Sequence, residues 1–257
     1  MTDTSWQGSG LWYDSIVGET GHYYHTNIIL PGVIRLLHLQ PNSSVLDIAC
    51  GQGVLARHIP KQTPYVGIDG AKELIAKAKS YHPGQKNREF FHGDVTKPFP
   101  IATERLFSHA TIILALQNIA SMDPVFAHAK QHLKADGKLL IVLNHPCFRI
   151  PRQSAWGFDE ASKTQFRRLN CYMSALKIPI ASHPGRKSSS TTVSFHHPLS
   201  AYINGLSKAG FVVDALEEWC SDKVSTGKAK AWENRARKEF PLFMAIRATV
   251  AEAHSCP

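Results

Sequence analysis

The chain has few cysteines, and none of them forms a closely spaced pair. The five thiols, Cys50, Cys147, Cys171, Cys220 and Cys256, lie far apart in 257 residues and give no C-x-x-C motif. This spacing argues against both a zinc site and a disulfide framework. We therefore expect reduced thiols and no bound metal.

Long apolar runs are also missing. No stretch approaches the roughly 18 apolar residues that are needed to cross a bilayer. A chain with 43% hydrophobic and 19% charged residues has the composition of a folded globular protein. The first ten residues have neither the basic flank nor the apolar stretch of a signal peptide. These features predict a single cytoplasmic domain over residues 1–257 with no membrane partner.

Acidic residues are too few to balance the basic ones, above all in the second part of the chain. Residues 1–148 carry 13 basic and 11 acidic side chains, for a formal charge of +2, whereas residues 149–257 carry 16 and 9, for +7. An electropositive part suits an anionic small molecule or a nucleic acid, and a basic surface also serves solubility alone. Composition leaves these alternatives open.

Short apolar runs alternate with helical patterns in the first part of the chain. The runs that are typical of buried strands are 44–48, 65–68, 89–92, 107–113 and 138–143. Helical spacing follows at 54–59, at 71–80 and after Asp123, which precedes a proline. This alternation predicts an α/β, doubly wound fold with a mainly parallel sheet.

The alternation stops after the fifth strand. We predict that residues 144–197 form a cap insertion, with one helix around 159–168 and a hairpin around 178–195. The polar run 186–192 (RKSSSTT) is typical of a hairpin tip. Beyond the cap, the pattern predicts helices at 198–209 and 232–239 and strands at 211–219 and 241–250.

The glycine turn after the first strand carries the strongest functional signal. Residues 45–53 read VLDIACGQG, and the small residues Ala49, Gly51 and Gly53 let the backbone approach a ligand closely. The turn also satisfies G-x-G-x-x-A, with Asp69 18 positions after Gly51. That spacing is close to the dinucleotide fingerprint, so a dehydrogenase is one alternative.

This turn and the residues beyond it resemble the class I S-adenosylmethionine (SAM) dependent methyltransferases. Asp47 inside the approach to the turn and a second acidic loop at 92–95 fit that family better than a dehydrogenase. The runs 144–156, 195–202 and 241–246 resemble a bacterial subgroup known only as methyltransferases. The resemblance implies a Rossmann-like, seven-stranded, mostly parallel sheet with a C-terminal antiparallel hairpin.

The resemblance also implies which residues hold SAM, whose product is S-adenosylhomocysteine (SAH). Asp47 helps to hold the methionine end, Asp69 accepts hydrogen bonds from the ribose hydroxyls, and Asp94 with the N–H of Val95 contacts adenine. The predicted cofactor-binding set is Tyr24, Asp47, Ala49, Gly51, Gly53, Asp69, Gly70, Asp94, Val95 and Leu114.

The segment before the first strand is rich in aromatic residues and histidine. Residues 1–40, which include Tyr24, are predicted to fold over the cofactor as a lid, the alternative being an amphipathic helix packed on the sheet edge. If the acceptor needs a general base, the candidates by position are His25, His145 and His197. The alternative for His145 is a solvated side chain in a proline-bounded turn.

Basic and aromatic residues of the cap indicate how an acceptor is held. They are Arg149, Arg152, Arg167, Arg168, Arg186 and Lys187, with Trp156, Phe166 and Tyr172 between them. Such a wall suits a small anionic or aromatic acceptor. The sequence therefore predicts O- or N-methylation of a small molecule. The alternatives are an RNA methyltransferase that uses the basic second part and a non-catalytic SAM-binding regulatory protein, and the sequence leaves the oligomeric state open.

Overall fold

The computed structural model describes residues 22–181 and 191–251, and a seven-stranded sheet lies at their centre. The strands of the described residues are β1 (Val45–Ile48), β2 (Tyr65–Asp69), β3 (Arg88–His92), β4 (Phe107–Ile113), β5 (Leu133–Asn144), β6 (Ser154–Asp159), β7 (Thr164–Leu169), β8 (Leu176–Ala181), β9 (Thr191–His196), β10 (Phe211–Trp219) and β11 (Phe243–Val250). The central sheet has the order β10-β11-β5-β4-β1-β2-β3. β11 runs antiparallel to both of its neighbours, and the other pairs are parallel. The predicted α/β, doubly wound fold with a C-terminal antiparallel hairpin is confirmed.

Five α-helices lie in the described residues, with shorter helical turns between them. The helices are α1 (Leu30–Leu37), α2 (Lys72–Tyr81), α3 (Asp123–Gln131), α4 (Leu199–Lys208) and α5 (Lys230–Glu239). The helix that the sequence predicted at 54–59 is only a single 3-10 turn, Leu55–Arg57. The left-handed Gly53 before it and Pro60 after it leave no room for a longer helix, because the residue before a proline disfavours helical backbone.

The apolar core covers both faces of the central sheet. In β5, Leu139 and Ile141 pack on one face with residues of α3 and α4, whereas Leu140 and Val142 pack on the other with residues of α1 and α2. Strands that are buried on both faces read as continuous apolar runs, which explains why the sequence pattern located them. In such folds the carboxyl edge of the sheet is the place for a ligand.

The cap consists of two hairpins. β6 pairs with β7 and β8 pairs with β9, each as an antiparallel two-stranded sheet of its own. The predicted hairpin around 178–195 is confirmed. The helix predicted around 159–168 is wrong, because these residues form the turn and second strand of the β6–β7 hairpin. Aromatic and threonine side chains at alternate positions, such as Trp156, Phe158, Thr164 and Phe166, favour strands over a helix.

Some predictions about segments lie outside the described residues. The hairpin tip predicted at 186–192 falls largely on residues 182–190, and the first half of the predicted lid at 1–40 falls on residues 1–21. The boundaries of the lid and of the cap at 144–197 therefore stay predictions.

Gly67 of β2 gives a first testable prediction about the packing under the glycine turn. A Cβ at this position would lie 2.7 Å from Cys50 Sγ and 2.8 Å from Phe90 Cδ1. We expect Gly67→Ala to lower the free energy of unfolding by about 1–3 kcal/mol, since both neighbours are buried and must shift. Denaturant unfolding measures this change. Gly70→Ala is the matched control, because its Cβ would meet only the Gly93 carbonyl, at 3.9 Å; an equal loss in both variants would contradict the explanation.

Candidate active site

The glycine turn leaves β1 at the carboxyl edge of the sheet. Ala49, Gly51 and Gly53 all have left-handed backbone, with φ of +59°, +56° and +73°. The N–H of Cys50 donates to the carbonyl of Ile68 at 3.0 Å and so ties the turn to β2. Glycine adopts a left-handed conformation without strain and lets a ligand lie close to the backbone. The turn therefore has the form that the sequence predicted.

Asp69, the last residue of β2, is bonded to this turn. Its Oδ2 accepts from the N–H of Gly51 at 2.8 Å, and its Oδ1 accepts from the N–H of Ala71 at 2.8 Å. Burial raises the pKa of Asp69, while the two N–H donors oppose that rise. Each carboxylate oxygen accepts more than one hydrogen bond, so Asp69 retains capacity for hydroxyl donors of a ligand at this edge.

Asp47 is turned into the sheet and is only 3% exposed. Its Oδ2 accepts from the Tyr65 hydroxyl at 2.5 Å, and its Oδ1 accepts from the Thr111 hydroxyl at 2.7 Å. Burial raises the pKa of Asp47 to about 6, although both hydroxyls oppose this. These bonds favour a supporting role beneath the turn, and the predicted contact of Asp47 with the methionine end of a cofactor stays a prediction.

The loop after β3 carries Asp94 and Val95. Asp94 is exposed, and its Oδ1 accepts from the N–H and the hydroxyl of Thr96 at 2.9 Å and 2.8 Å. Val95 is buried in the core. A methyl group added at Gly70 would meet only the carbonyl of Gly93, at 3.9 Å, so the backbone of Gly70 is open on that side. The predicted contacts with adenine stay predictions.

Leu114, directly after β4, is another left-handed residue, with φ of +51°. Its N–H donates to the Val142 carbonyl at 2.7 Å, and its own carbonyl accepts from Nε2 of Gln117 at 2.8 Å. Oε1 of Gln117 is buried and has no hydrogen-bond partner in the described residues. A buried acceptor is costly unless a ligand or water donates to it, so we add Gln117 to the site. The sequence analysis did not include it; its signal was an amide side chain four residues after the predicted strand 107–113.

A π-helical turn spans His25–Ile29. His25 is its first residue, and Tyr24 directly precedes it. The Tyr24 ring packs edge-on against Phe243 of β11 at 5.7 Å, and its hydroxyl lies 3.3 Å from that of Ser221. Burial, with His22 nearby, lowers the pKa of His25 to about 4. An imidazole with so low a pKa is a poor general base near neutral pH, so the structure argues against that role for His25.

The side chain of His145 is buried within the fold. It is 1% exposed, its Nε2 lies 2.6 Å from Oε1 of Glu218, and its Nδ1 accepts from the N–H of Cys147 at 3.1 Å. Burial lowers the pKa of His145, while Glu218 opposes that shift. The alternative of a solvated side chain is therefore wrong, and a general base at His145 stays a prediction that these contacts do not favour. His145 instead joins the end of β5 to β10.

His197, the third candidate base, lies against the ring of Tyr202 with the two ring planes almost perpendicular. Burial and the neighbouring His196 lower its pKa. Its Nε2 is buried and has no partner in the part of the chain that the structure describes. His197 thus stays a candidate for contact with a bound molecule, but a weaker base than an exposed histidine.

Two cavities lie between the cap and the sheet, and Arg149 lines both. The larger, of about 180 Å³, is lined by Tyr24, Phe148, Arg149, Trp156, Arg167 and Phe240. The smaller, of about 20 Å³, is lined by Gln117, Asn144, Arg149, Phe195, His196 and Tyr202. Sequence analysis did not identify Phe148, Phe240, Asn144 or Tyr202, because the pattern does not show which loop residues meet across the cap.

The basic residues of the cap that were predicted to hold the methyl acceptor differ in position: some line the larger cavity and others are exposed. Arg149 and Arg167 line the larger cavity, Arg152 and Arg168 are exposed, and Arg186 and Lys187 lie outside the described residues. Trp156 lines the same cavity, Phe166 is exposed, and the Tyr172 hydroxyl accepts from the N–H of Leu199. Only part of the predicted set therefore belongs to one site.

Other features of the described residues concern metals, thiols and membranes. In 22–181 and 191–251, no three His, Cys, Asp or Glu side chains come together as a possible metal site. The four cysteines in these ranges are free thiols. No helix there combines the length and the apolar character that a membrane span requires.

Comparison with known proteins identifies the domain. Residues 45–137, from the start of β1 into β5, match the model of a methyltransferase domain family. This match assigns residues 45–137 to a methyltransferase domain. The match covers the glycine turn, Asp69 and Asp94. The family model therefore includes the residues that form this edge of the sheet.

Curated relatives of the methyltransferase domain act on different molecules. A demethylmenaquinone methyltransferase of Bacillus cereus is 24% identical over 143 residues, which are 53% of this chain and 56% of that protein. A dTDP-3-amino-3,6-dideoxy-alpha-D-glucopyranose N,N-dimethyltransferase of Streptomyces fradiae is 24% identical over 76% of this chain and 71% of its own length. The chain thus spans little more than half the length of the first relative.

Solved structures share the fold of the methyltransferase domain. An S-adenosylmethionine dependent methyltransferase from Mesorhizobium loti superposes with a TM-score of 0.66 at 21% identity, over 85% of this chain and 96% of that one. The glycopeptide N-methyltransferase MtfA, solved in complex with SAM, has a TM-score of 0.55 at 15% identity, over 85% and 92%. At these identities the likeness establishes the fold.

Proposed function

We propose that this protein is a SAM-dependent methyltransferase that acts on a small molecule bound beneath the cap. The observation that carries the proposal is the Asp69 carboxylate, which the N–H groups of Gly51 and Ala71 hold at the end of β2. A carboxylate fixed in this way accepts hydrogen bonds from the hydroxyls of a ribose. The methyltransferase family match and the fold support the same cofactor.

The residues at the edge of the sheet fit SAM. Left-handed backbone at Gly51 lets the cofactor lie against the chain, whereas the buried Gly53 packs against the Phe90 ring. A methyl group at Gly70 would meet only the Gly93 carbonyl, at 3.9 Å. The buried, unpartnered Oε1 of Gln117 is an acceptor that a bound donor would satisfy. When bound, SAM supplies an electrophilic methyl group on a positively charged sulfur.

The chain's own residues then have to orient the acceptor and exclude water. Transfer of an already activated methyl group depends on alignment more than on strong acid or base groups. This agrees with the surroundings of His25, His145 and His197, where burial lowers the pKa of each imidazole. Gln117 and Arg149 are the polar groups that we assign to contact with the methyl acceptor.

A small acceptor fits the basic residues better than RNA. Arg149 and Arg167 line a cavity, where a polynucleotide backbone does not reach. Other basic side chains of the second part already have partners, since Arg247 lies 2.9 Å from Asp214 and Arg237 lies 3.8 Å from Glu233. These ion pairs reduce the number of basic side chains that face solvent alone, while the net charge of +7 in residues 149–257 already includes their acidic partners.

Calorimetric titration with SAH, and separately with NADH, tests the cofactor. We expect SAH to bind and NADH to give no heat, because Asp69 and the glycine turn are assigned to SAM. Binding of NADH alone would revive the dehydrogenase, and binding of neither by folded protein would make the turn purely structural.

Turnover is tested by incubating the protein with SAM and a small-molecule fraction of cell extract, with SAH as the measured product. We expect SAH to form only when the fraction is present. SAH binding without turnover in any fraction would favour the regulatory alternative and overturn the enzymatic proposal.

A further inference from the structure

Two guanidinium groups line the larger cavity, and neither has a carboxylate partner in the described part of the chain. Arg149 donates weakly, at 3.5 Å, to the Leu242 carbonyl. Arg167 donates to the Phe148 carbonyl at 2.7 Å and to the Ser154 hydroxyl at 2.9 Å. Burial lowers the pKa of both arginines, and Arg167 lowers that of Arg149 further. An oxyanion between them would offset the cost of burying two like charges.

Aromatic rings form other walls of this cavity. The Phe240 ring meets the Phe148 ring at 5.6 Å and the Trp156 ring at 5.5 Å, nearly edge-on in both cases. The guanidinium of Arg167 lies 5.0 Å from the centre of the Trp156 ring. Trp156 is 43% exposed, so the rim of the cavity offers it to an incoming ring. Positive and aromatic groups that alternate in this way suit a ligand that combines a ring with a negative charge.

The volume of about 180 Å³ limits the size of that ligand. An engineered cavity of about 150 Å³ in another protein binds benzene. Pockets for drug-sized molecules are larger, at about 300–1,000 Å³. The cavity therefore has room for one six-membered ring with a charged substituent.

Arg149 and Gln117 connect this cavity to the candidate cofactor site. Arg149 also lines the smaller cavity, and Gln117 is another of its lining residues. The amide of Gln117 donates to the carbonyl of Leu114, the residue that follows β4 at the carboxyl edge of the sheet. A ring held at Arg149 thus adjoins the edge at which we place the cofactor.

We infer that the larger cavity binds a single aromatic ring that carries an oxyanion, with the anion against Arg149 and Arg167, and that this molecule is the methyl acceptor. A separate hydroxyl or amino group of the molecule would take the methyl group: its oxygen or nitrogen would bond to the methyl carbon as the bond from that carbon to sulfur breaks, with SAH as the leaving group and the displaced proton passing to water. The molecule's role as acceptor rests on the proposed function, whereas its binding does not. Carboxylate and phosphate have the same recognition chemistry here, since guanidinium pairs with both.

Calorimetry on the wild-type protein compares four probes: benzoate, phenyl phosphate, benzamide and cyclohexanecarboxylate. We expect benzoate or phenyl phosphate to bind at least about tenfold more tightly than benzamide, which has the ring without the charge, and than cyclohexanecarboxylate, which has the charge without the aromatic ring. The tighter of the two anions identifies the carboxylate or the phosphate. No binding of either anion, or equal binding of benzamide, would overturn the inference.

Neighbouring arginines of β7 provide a matched pair of variants. Arg167→Gln removes a charge from the cavity and is expected to weaken binding of the preferred anion at least about tenfold. Arg168→Gln removes an exposed charge from the adjacent residue and is expected to leave binding unchanged. Equal weakening by both would show a general charge effect and exclude the cavity as the site. If Arg167→Gln fails to fold, the four-probe comparison still decides.

Titration of the same samples with SAH separates this inference from the proposed function. We expect Arg167→Gln to keep the SAH affinity of the wild type, because Asp69 and the glycine turn are intact. Anion binding without SAH binding would overturn the proposed function and leave the ring site standing. SAH binding without anion binding would overturn the ring site and leave the proposed function standing.

Discussion

Replacing Asp69 with alanine is expected to weaken SAH binding by about 10- to 100-fold, measured by calorimetry. The carboxylate is the assigned acceptor for the ribose hydroxyls. It also holds the N–H groups of Gly51 and Ala71 at 2.8 Å, so its loss removes a ligand contact and loosens the turn at the same time. Unchanged SAH affinity would remove Asp69 from the cofactor site.

Asp159→Ala is the matched control for this variant. Asp159 ends β6, and its carboxylate accepts from the N–H of Ala161, two residues further on, at 3.0 Å. The bond from Ala71 to Asp69 spans the same number of residues. We expect Asp159→Ala to bind SAH as the wild type does, since it loses the same kind of bond in the cap hairpin and not at the glycine turn.

Replacing Asp47 with asparagine is expected to change how stability depends on pH. The pKa of Asp47 is raised from 3.8 to about 6 in the folded protein, so between these values the folded state keeps a proton that the unfolded state has released. The stabilising contribution of Asp47 is therefore complete below pH 3.8 and is lost as pH rises through about 6. The total loss is about 3 kcal/mol, since one pKa unit corresponds to about 1.4 kcal/mol.

Denaturant unfolding of wild type and Asp47→Asn at about pH 4.5 and about pH 7.5 measures this effect. The wild type should lose about 2 kcal/mol relative to the variant over this interval. His25 and His109, whose pKa values are lowered to about 4, gain stability as pH rises, but both proteins contain them and the difference cancels them. Parallel pH curves would contradict a raised pKa at Asp47.

Asp159→Asn again serves as the control. Hydrogen bonds from the Ser162 hydroxyl and the Ala161 N–H lower the pKa of Asp159, so its contribution to stability is lost as pH falls. Because this loss occurs below pH 3.8, the stability difference between wild type and Asp159→Asn should stay nearly constant between about pH 4.5 and about pH 7.5. A pH-dependent difference of the same sign in both variants would point to a general charge effect.

The central sheet was predictable because its strands are buried on both faces. Runs such as 65–68 and 138–143 are apolar without interruption and are bounded by turn residues, so periodicity locates them. The glycine turn and Asp69 were predictable for a related reason, since left-handed backbone needs small residues and the ends of parallel strands meet at one edge.

The cap was less predictable because few of its residues are buried. In β6 and β7, helical spacing and strand alternation compete over a few half-exposed residues, and the contact across the hairpin decides for strands. His145 was misread because its partner, Glu218, lies 73 positions away in the chain. Asp47 was placed at the right turn, but sequence does not reveal that Tyr65 and Thr111 bond both of its oxygens.

The two cap hairpins complete their backbone ladders by themselves. In the described residues, β6 pairs with β7 and β8 pairs with β9. None of these four strands pairs with a strand of the seven-stranded sheet. Either hairpin is therefore exchangeable between relatives without breaking a hydrogen bond of the sheet. If the cap holds the methyl acceptor, as proposed, we expect changes in the hairpins to alter the choice of acceptor while the residues of the cofactor edge stay in place.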